Sequence, residues 1–173
     1  MEKFVGIDGR YEARSIEDHV RNYWRKTNAY EKTRENRIDG KPFFFVDGPP
    51  YTSGAAHMGT AWNKTLKDGY LRWNSMMGSR VYDRPGYDMH GLPIETKVEE
   101  LLGFKNKKDI ESFGIENFIE ECKKFAESQR KGLQEDFISF GVWMDWENPY
   151  KTVSSEYMES AWWGFSQIHK RGL

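Results

Sequence analysis

A single cysteine, Cys122, stands in 173 residues, which excludes a disulfide framework and a cysteine-built zinc site. Long apolar runs are missing too, so nothing in the chain reads as a membrane span. Met1-Glu2-Lys3-Phe4 lacks the pattern of a secretory leader. The expectation from these absences is a soluble, cytoplasmic protein with no metal site of its own and no membrane partner. Net charge is equally lacking: 26 Lys and Arg against 27 Asp and Glu leave −1. A main nucleic-acid platform is normally basic, so this stretch is not expected to act as one alone. Neither an internal repeat nor a low-complexity tract interrupts the chain.

Aromatic residues, by contrast, make up 16% of the chain and supply a core of large, stiff side chains. The length suits one domain or slightly more. Most of what the sequence says about function lies in residues 43–64. Phe43 to Val46 form an apolar run that reads as a buried strand and ends in Asp47-Gly48-Pro49-Pro50. A loop of mostly small residues follows (Tyr51, Thr52, Ser53, Gly54, Ala55, Ala56), and His57-Met58-Gly59-Thr60 opens a helix. Met58, Trp62, Leu66, Tyr70, Trp73 and Met77 recur at steps of three and four, which puts them on one helical face. Gly78 stands where a C-terminal cap is wanted.

A strand feeding a loop and a helix start is how a nucleotide phosphate site is built. The helix N-terminus offers unpaired N–H groups and the positive end of the dipole. Gly59 removes a Cβ where a base or phosphate must come close to the backbone. The His57 imidazole can donate to a phosphate oxygen, and the proline pair makes a rigid loop wall. A polar loop with a helix-capping histidine fits the same residues.

A second unit follows at 80–98. Arg80 to Asp83 read as a short strand that reaches a Pro85-Gly86 turn, with Asp88 and His90 just beyond it. A helix starts near Leu92-Pro93, proline being tolerated in the first turn. Two successive strand–loop–helix units predict a parallel α/β sheet, whose ligands sit at the carboxyl ends of the strands. His90 either caps the following helix or orients Asp88.

Elsewhere, Ser15-Ile16-Glu17-Asp18 resembles a capping box ahead of a helix to about Ala29. Residues 30–42 read as a polar connector whose Lys32, Arg34 and Arg37 form a solvated face. Lys105 to Lys108 read as a polar loop, and Ile115 to Phe140 as a long amphipathic helix. Trp143 to Tyr150 read as a loop with core-packing aromatics, and a last helix spans about Ser155 to Lys170. His19 and His169 are expected on the surface.

Asp47-Gly48-Pro49-Pro50-Tyr51, His57-Met58-Gly59-Thr60, Asn63-Lys64, Lys67-Asp68 and Arg84 through Glu95 together resemble the N-terminal catalytic region of class I isoleucyl-tRNA synthetases of the archaeal type. The likeness runs on through Gly141 to Trp146 and Tyr157 to Trp163, so it covers nearly the whole chain. The resemblance implies an α/β fold: the first half of a Rossmann-like parallel nucleotide-binding fold with extra helices, truncated. Residues 1–42 are then a helical extension and connector, and 43–173 the N-terminal half of the catalytic nucleotide-binding domain.

The implied chemistry is ATP-dependent activation of isoleucine, with Mg²⁺ carried by the ATP, and transfer to tRNA(Ile) by the full-length protein. Pro50 through Thr60 would form the ATP-binding signature, with His57, Gly59 and Thr60 as its catalytic core. Pro49, Pro50 and Tyr51 would wall the side-chain pocket, and Asp88 would bind the amino group. The family signature is His-Ile-Gly-His, and Thr60 replaces its last histidine. That substitution shifts weight onto His57, the helix N-terminus and lysines. The Lys-Met-Ser-Lys-Ser loop, the editing domain and the anticodon-binding domain have no counterpart in these residues. The chain is therefore expected to be an N-terminal fragment that alone forms little or no adenylate.

Other assignments stay open at this stage: a valyl or other synthetase of the same subclass, a truncated non-catalytic product, or a small adenylyltransferase. The last usually adds an Ile-Ser-Ser-Thr-x-x-Arg signature, which Thr152-Val153-Ser154-Ser155-Glu156 matches only superficially.

Overall fold

The computed structural model describes residues 12–173. Helix α1 (Ala13–Thr27) ends at Asn28, which takes the left-handed conformation (φ 51°) that asparagine tolerates best after glycine. Its start differs from the expected capping box. Glu12 is the N-cap, and the Ser15 hydroxyl donates to the Glu12 carbonyl inside the first turn (3.1 Å). Asp18 instead accepts from Arg21 (2.7 Å).

The expected connector contains a second helix, α2 (Ala29–Glu35). Too short to persist on propensity, it is fixed by long-range anchors. The Tyr30 hydroxyl donates to Asp83 (3.0 and 3.1 Å), and Arg34 pairs with Asp145 (3.5 Å). Arg37 donates to the Ser75 carbonyl (2.7 Å). Only Lys32 of the three basic residues lies on an open face.

Strand β1 (Pro42–Phe44), helix α3 (Met58–Met76) and strand β2 (Arg80–Tyr82) form the first parallel unit, with Phe43 opposite Val81. Gly78 (φ +95°) follows the last turn of α3 as expected. Two other expectations are corrected. The strand is not buried: Phe44 is 72% exposed, its ring stacked on Tyr82 at 4.7 Å, and Val46 is exposed as well. The apolar stripe of α3 is real but open, from Met58 to Met77. The helix buries Lys64, Leu71 and Asn74 instead. Periodicity locates a face; it does not say which face finds a partner.

The second layer is also parallel. Pro85-Gly86 is not a turn. Gly86 begins strand β3 (Gly86–Tyr87), which pairs with β4 (Tyr150–Lys151) at the end of the expected aromatic loop. On its other side β3 continues into a parallel bridge between Tyr51 and Asp88. Asp88 donates its N–H to the Pro50 carbonyl (2.9 Å), and Thr52 returns a bond to the Asp88 carbonyl (2.9 Å). A Cβ at Gly86 would fall within the Tyr150 ring. Glycine is required there by close approach, not by a turn.

Helix α4 (Leu92–Leu102) carries Pro93 in its first turn and ends at Gly103 in the left-handed region (φ +73°). The expected polar loop at 105–108 is the start of α5 (Lys107–Phe113), where Asn106 and Asp109 form a capping box. Helix α6 (Ile115–Ser139) buries Phe118, Ala126, Leu133 and Phe137 against Tyr87, Ile94 and Val98. Trp146 stacks on Phe137 (6.0 Å), and Trp143 meets Trp24 edge-on (5.1 Å) with the Arg72 guanidinium over its ring. Helix α7 (Ser155–Lys170) is capped by Ser154 and buries none of its residues.

One carboxylate joins these parts. Asp47 is fully buried at the end of the β1 segment. Its Oδ2 accepts from the Lys64 ammonium and from the Gly86 N–H (3.0 Å), and its Oδ1 accepts from Lys67 (2.7 Å). The Tyr150 hydroxyl donates to the Asp47 carbonyl. Burial pushes the Tyr150 phenol up to about 12, so its proton remains available for that bond. Lys64, 1% exposed, also lies 4.9 Å from the Phe137 ring centroid. Burial lowers its pKa, and Asp47 opposes the shift.

Two outcomes follow. Asp47→Asn leaves an ammonium inside without its counter-charge and is expected to cost about 3–5 kcal/mol. Adding Lys64→Met should recover part of that loss, because the fully buried ammonium is then gone too and only the partly exposed Lys67 is left without Asp47; thermal unfolding measures both. Gly86→Ala is expected to cost about 2–3 kcal/mol through overpacking. Tyr150→Ala in the same chain should relieve the clash, so the double variant melts above the sum of the two single losses.

Candidate functional site

The loop from Gly48 to Ala56 is pinned at three points. Asp47 fixes its start. Buried Thr52 holds its middle, its hydroxyl and N–H both donating to the Asp88 carbonyl (3.1 and 2.9 Å). Ala56 closes it by donating its N–H to Asp136 Oδ2 on α6 (3.1 Å). Between the pins, Pro49, Pro50, Ser53 and Gly54 are half-buried, and Tyr51 and Ala55 are exposed.

His57 is the N-cap of α3 and not part of its first turn. Its backbone is extended (φ −101°, ψ 172°), and Nδ1 accepts from the Gly59 N–H (3.1 Å). In the neutral ring that bond places the proton on Nε2, which leaves an exposed donor. Gly59 has a specific reason to be glycine. A Cβ there would stand 3.0 Å from His57 Cε1 and 3.2 Å from Nδ1, tight enough to push the ring from its capping position. The N–H groups of Met58 and Thr60, and the Thr60 hydroxyl, make no hydrogen bond within the described residues. Together with Nε2 they form a set of open donors on the positive end of a 19-residue helix.

Two lysines of α3 stand apart from this donor set. Lys64 and Lys67 both point their charge into Asp47, and Lys67 also donates to the Gly48 carbonyl (3.1 Å). They act on the loop's base.

Asp88 stands half-buried beside Tyr51. Its Oδ1 lies 3.3 Å from the hydroxyl of Thr152, which is 5% exposed. The same hydroxyl accepts the Met89 N–H (3.0 Å) and lies 2.8 Å from His90 Nδ1. His90 does not cap α4; Gly91 holds that position with φ +88°. Of the two roles open to His90, contact with the Asp88 environment is the one the structure contains. Thr152 was not singled out by the sequence for this place. The segment resembling a second adenylyltransferase signature is instead the end of β4 and the cap of α7, Ser154 accepting from Tyr157 N–H (3.3 Å).

His19 and His169 are exposed. A cavity of about 430 Å³ lies between α2, α3 and β2, bordered by Tyr30, Leu71, Val81 and Trp143. None of the candidate site residues lines it, and its Arg34 and Arg37 are already bonded as described above. Among the described residues, no group of three or more His, Cys, Asp or Glu could hold a metal ion. No helix there is long and apolar enough to cross a membrane.

Known proteins match this chain in sequence and in fold. An isoleucine–tRNA ligase of Natronomonas pharaonis is 68% identical over 173 residues, and one of Haloarcula marismortui is 67% identical; each match covers 100% of this chain and 16% of the relative. An isoleucine–tRNA ligase of Methanosarcina mazei is 55% identical over 96% of the chain. The chain thus spans about 16% of the length of these curated relatives. Among solved structures, the LeuRS–tRNA–LeuAMS ternary complex of Agrobacterium radiobacter superposes with a TM-score of 0.67 and 22% identity, over 95% of this chain and 18% of that one. That likeness concerns the fold, an α/β arrangement with short parallel strands. A family model for tRNA synthetases class I (I, L, M and V) matches residues 19–173, and the chain belongs to that family.

Proposed function

We propose that this chain is the N-terminal part of the catalytic domain of an isoleucine–tRNA ligase. In that assignment residues 43–173 form the first half of the nucleotide-binding domain and residues 1–42, of which 1–11 lie outside the described residues, a helical extension and connector. The full-length protein, working in the cytoplasm, activates isoleucine with ATP and transfers it to tRNA(Ile). The observation that carries the proposal is the parallel bridge between Tyr51 and Asp88. It sets a carboxylate beside a Pro-Pro-Tyr wall, in a loop that ends on the open donors of α3. The curated relatives quoted above support isoleucine as the amino acid.

The chemistry needs no side-chain nucleophile. Asp88 binds the ammonium of isoleucine, and Pro49, Pro50 and Tyr51 wall its apolar side chain. The isoleucine carboxylate then attacks the ATP α-phosphorus. A carboxyl O–P bond forms, the bond to the bridging oxygen breaks, and its electron pair leaves with pyrophosphate. Catalysis is positioning and stabilisation of phosphate charge. His57 Nε2–H, the Met58 and Thr60 N–H groups and the Thr60 hydroxyl supply donors for it. Gly59 acts by leaving room for the His57 ring and for the ligand. Mg²⁺ enters on the ATP phosphates, where it neutralises charge.

Pyrophosphate exchange by the full-length protein tests both halves. His57→Ala should lower the adenylation rate far more than isoleucine affinity. Gly59→Ala should reproduce much of that defect by displacing the imidazole. Thr60→Ala should be mildest, since a neutral hydroxyl contributes roughly 0.5–1.5 kcal/mol. Equal damage from Thr60→Ala and His57→Ala would reverse the roles assigned here. Asp88→Asn should raise the Michaelis constant for isoleucine roughly a hundredfold, equivalent to about 3 kcal/mol, with ATP affinity nearly unchanged. A variant that melts early yet keeps its isoleucine affinity would make Asp88 a fold residue only.

A further inference from the structure

The Asp88 carboxylate is not held by its backbone alone, and the Thr152 hydroxyl that reaches it is a shared group. One hydroxyl has one proton and two acceptor positions. Met89 N–H, a donor in every state, fills one of the positions (3.0 Å). The remaining acceptor position and the proton are divided between Asp88 Oδ1 at 3.3 Å and His90 Nδ1 at 2.8 Å. If Nδ1 carries a proton, it donates to Thr152, and the Thr152 proton goes to Asp88. If Nδ1 is bare, it takes the Thr152 proton, and Asp88 faces a lone pair. The hydrogen-bond order therefore runs from His90 through Thr152 to Asp88 only when His90 donates from Nδ1.

Thr152 is suited to relay that order. It is buried, and its backbone N–H is fixed on the Tyr87 carbonyl (3.1 Å), one strand position from Asp88. His90 is exposed, so its contact with Thr152 is not a by-product of core packing. We propose that His90 and Thr152 are positioning residues for the amino-acid site: His90 Nδ1–H orders the Thr152 hydroxyl, which holds Asp88 Oδ1 for the ligand's ammonium. The proposal rests on the assignment of Asp88 to that ammonium.

Isoleucine-dependent pyrophosphate exchange by the full-length protein tests it, with four variants chosen by geometry. Asparagine places its amide N–H₂ where Nδ1 stands, and glutamine places it nearer Nε2. His90→Gln and Thr152→Val should raise the Michaelis constant for isoleucine roughly tenfold, the scale of one hydrogen bond to a charged group. The Michaelis constant for ATP and the turnover number should stay within about twofold. His90→Asn and Thr152→Ser should remain within about threefold of the parent on every parameter. In an Asp88→Asn background, His90→Gln should add nothing, because the two act on one group.

An equal effect of His90→Asn and His90→Gln would overturn the ordering role, as would ATP and isoleucine constants rising in step. No change with His90→Gln while Asp88→Asn is strongly impaired would overturn the strut and leave the amino-acid site standing. An unchanged isoleucine constant in Asp88→Asn itself would remove the site assignment, a distinct failure. Should Thr152→Val not fold, the exposed His90 pair decides the matter alone.

Discussion

A buried carboxylate with no counter-charge is among the least tolerable groups in a folded chain, and Asp47 is where this structure meets that constraint. Its two oxygens take two ammonium groups from α3 and one backbone N–H from β3. Every one of those partners comes from a different point along the sequence, so satisfying Asp47 requires β1, α3 and β3 to meet. The loop of the candidate site starts at the next residue. Its direction is set by the same contact that closes the fold, and the further pins at Thr52 and Ala56 keep it near Asp88 and α6. Stability and site geometry thus share one interaction.

The arrangement explains why α3 looks inverted. An amphipathic helix usually turns its apolar stripe inward. Here the inward face must deliver Lys64 and Lys67 to Asp47, and Asp68 to the Trp143 N–H (2.7 Å). The stripe of Met58, Trp62, Leu66, Tyr70 and Trp73 is left facing outward among the described residues. That face contributes little to this part of the fold beyond the edge-on contact of Tyr70 with Phe43 (5.8 Å), while a lysine that is 1% exposed contributes specificity. Buried ion pairs are weak sources of net stability but demanding of register. A one-residue slip of α3 would separate Lys64 from Asp47, its buried counter-ion.

Local features were legible in the sequence, and long-range ones were not. The positions of α3 and α6 followed from periodicity, and Gly78 and Pro93 marked an end and a start through backbone rules alone. The run from Asp47 to Thr60 was also legible as a strand-to-helix loop, whereas grouping Asp88 with Pro50 and Tyr51 came from the family resemblance and not from any local pattern. Two-residue strands were out of reach. Nothing local distinguishes Gly86-Tyr87 from a turn, since its glycine answers to the ring of Tyr150, 64 positions later. Helix α2 was read as a connector because its stability comes from Asp83 and Asp145 rather than its own residues. The pairing of Lys64 and Lys67 was out of reach for the same reason: their counter-charge is an aspartate 17 and 20 residues upstream.

Thr152 shows how far such non-locality reaches into function. Its neighbours in sequence suggest a helix start, and Ser154 indeed provides one. The threonine itself belongs to a different structure, the parallel layer formed by the 50–52 segment, β3 and β4. In a parallel layer, residues at matching heights on adjacent strands present side chains to the same face. Tyr51, Asp88 and Thr152 occupy such heights, and the bonds Thr52 N–H to Asp88 and Thr152 N–H to Tyr87 lock their register. The site is therefore a property of strand register rather than of any one motif. Asp47 sets that register from below through Gly86, and the Asp88 end inherits it. A change at the buried carboxylate should then be felt at Asp88 even though no side chain connects the two.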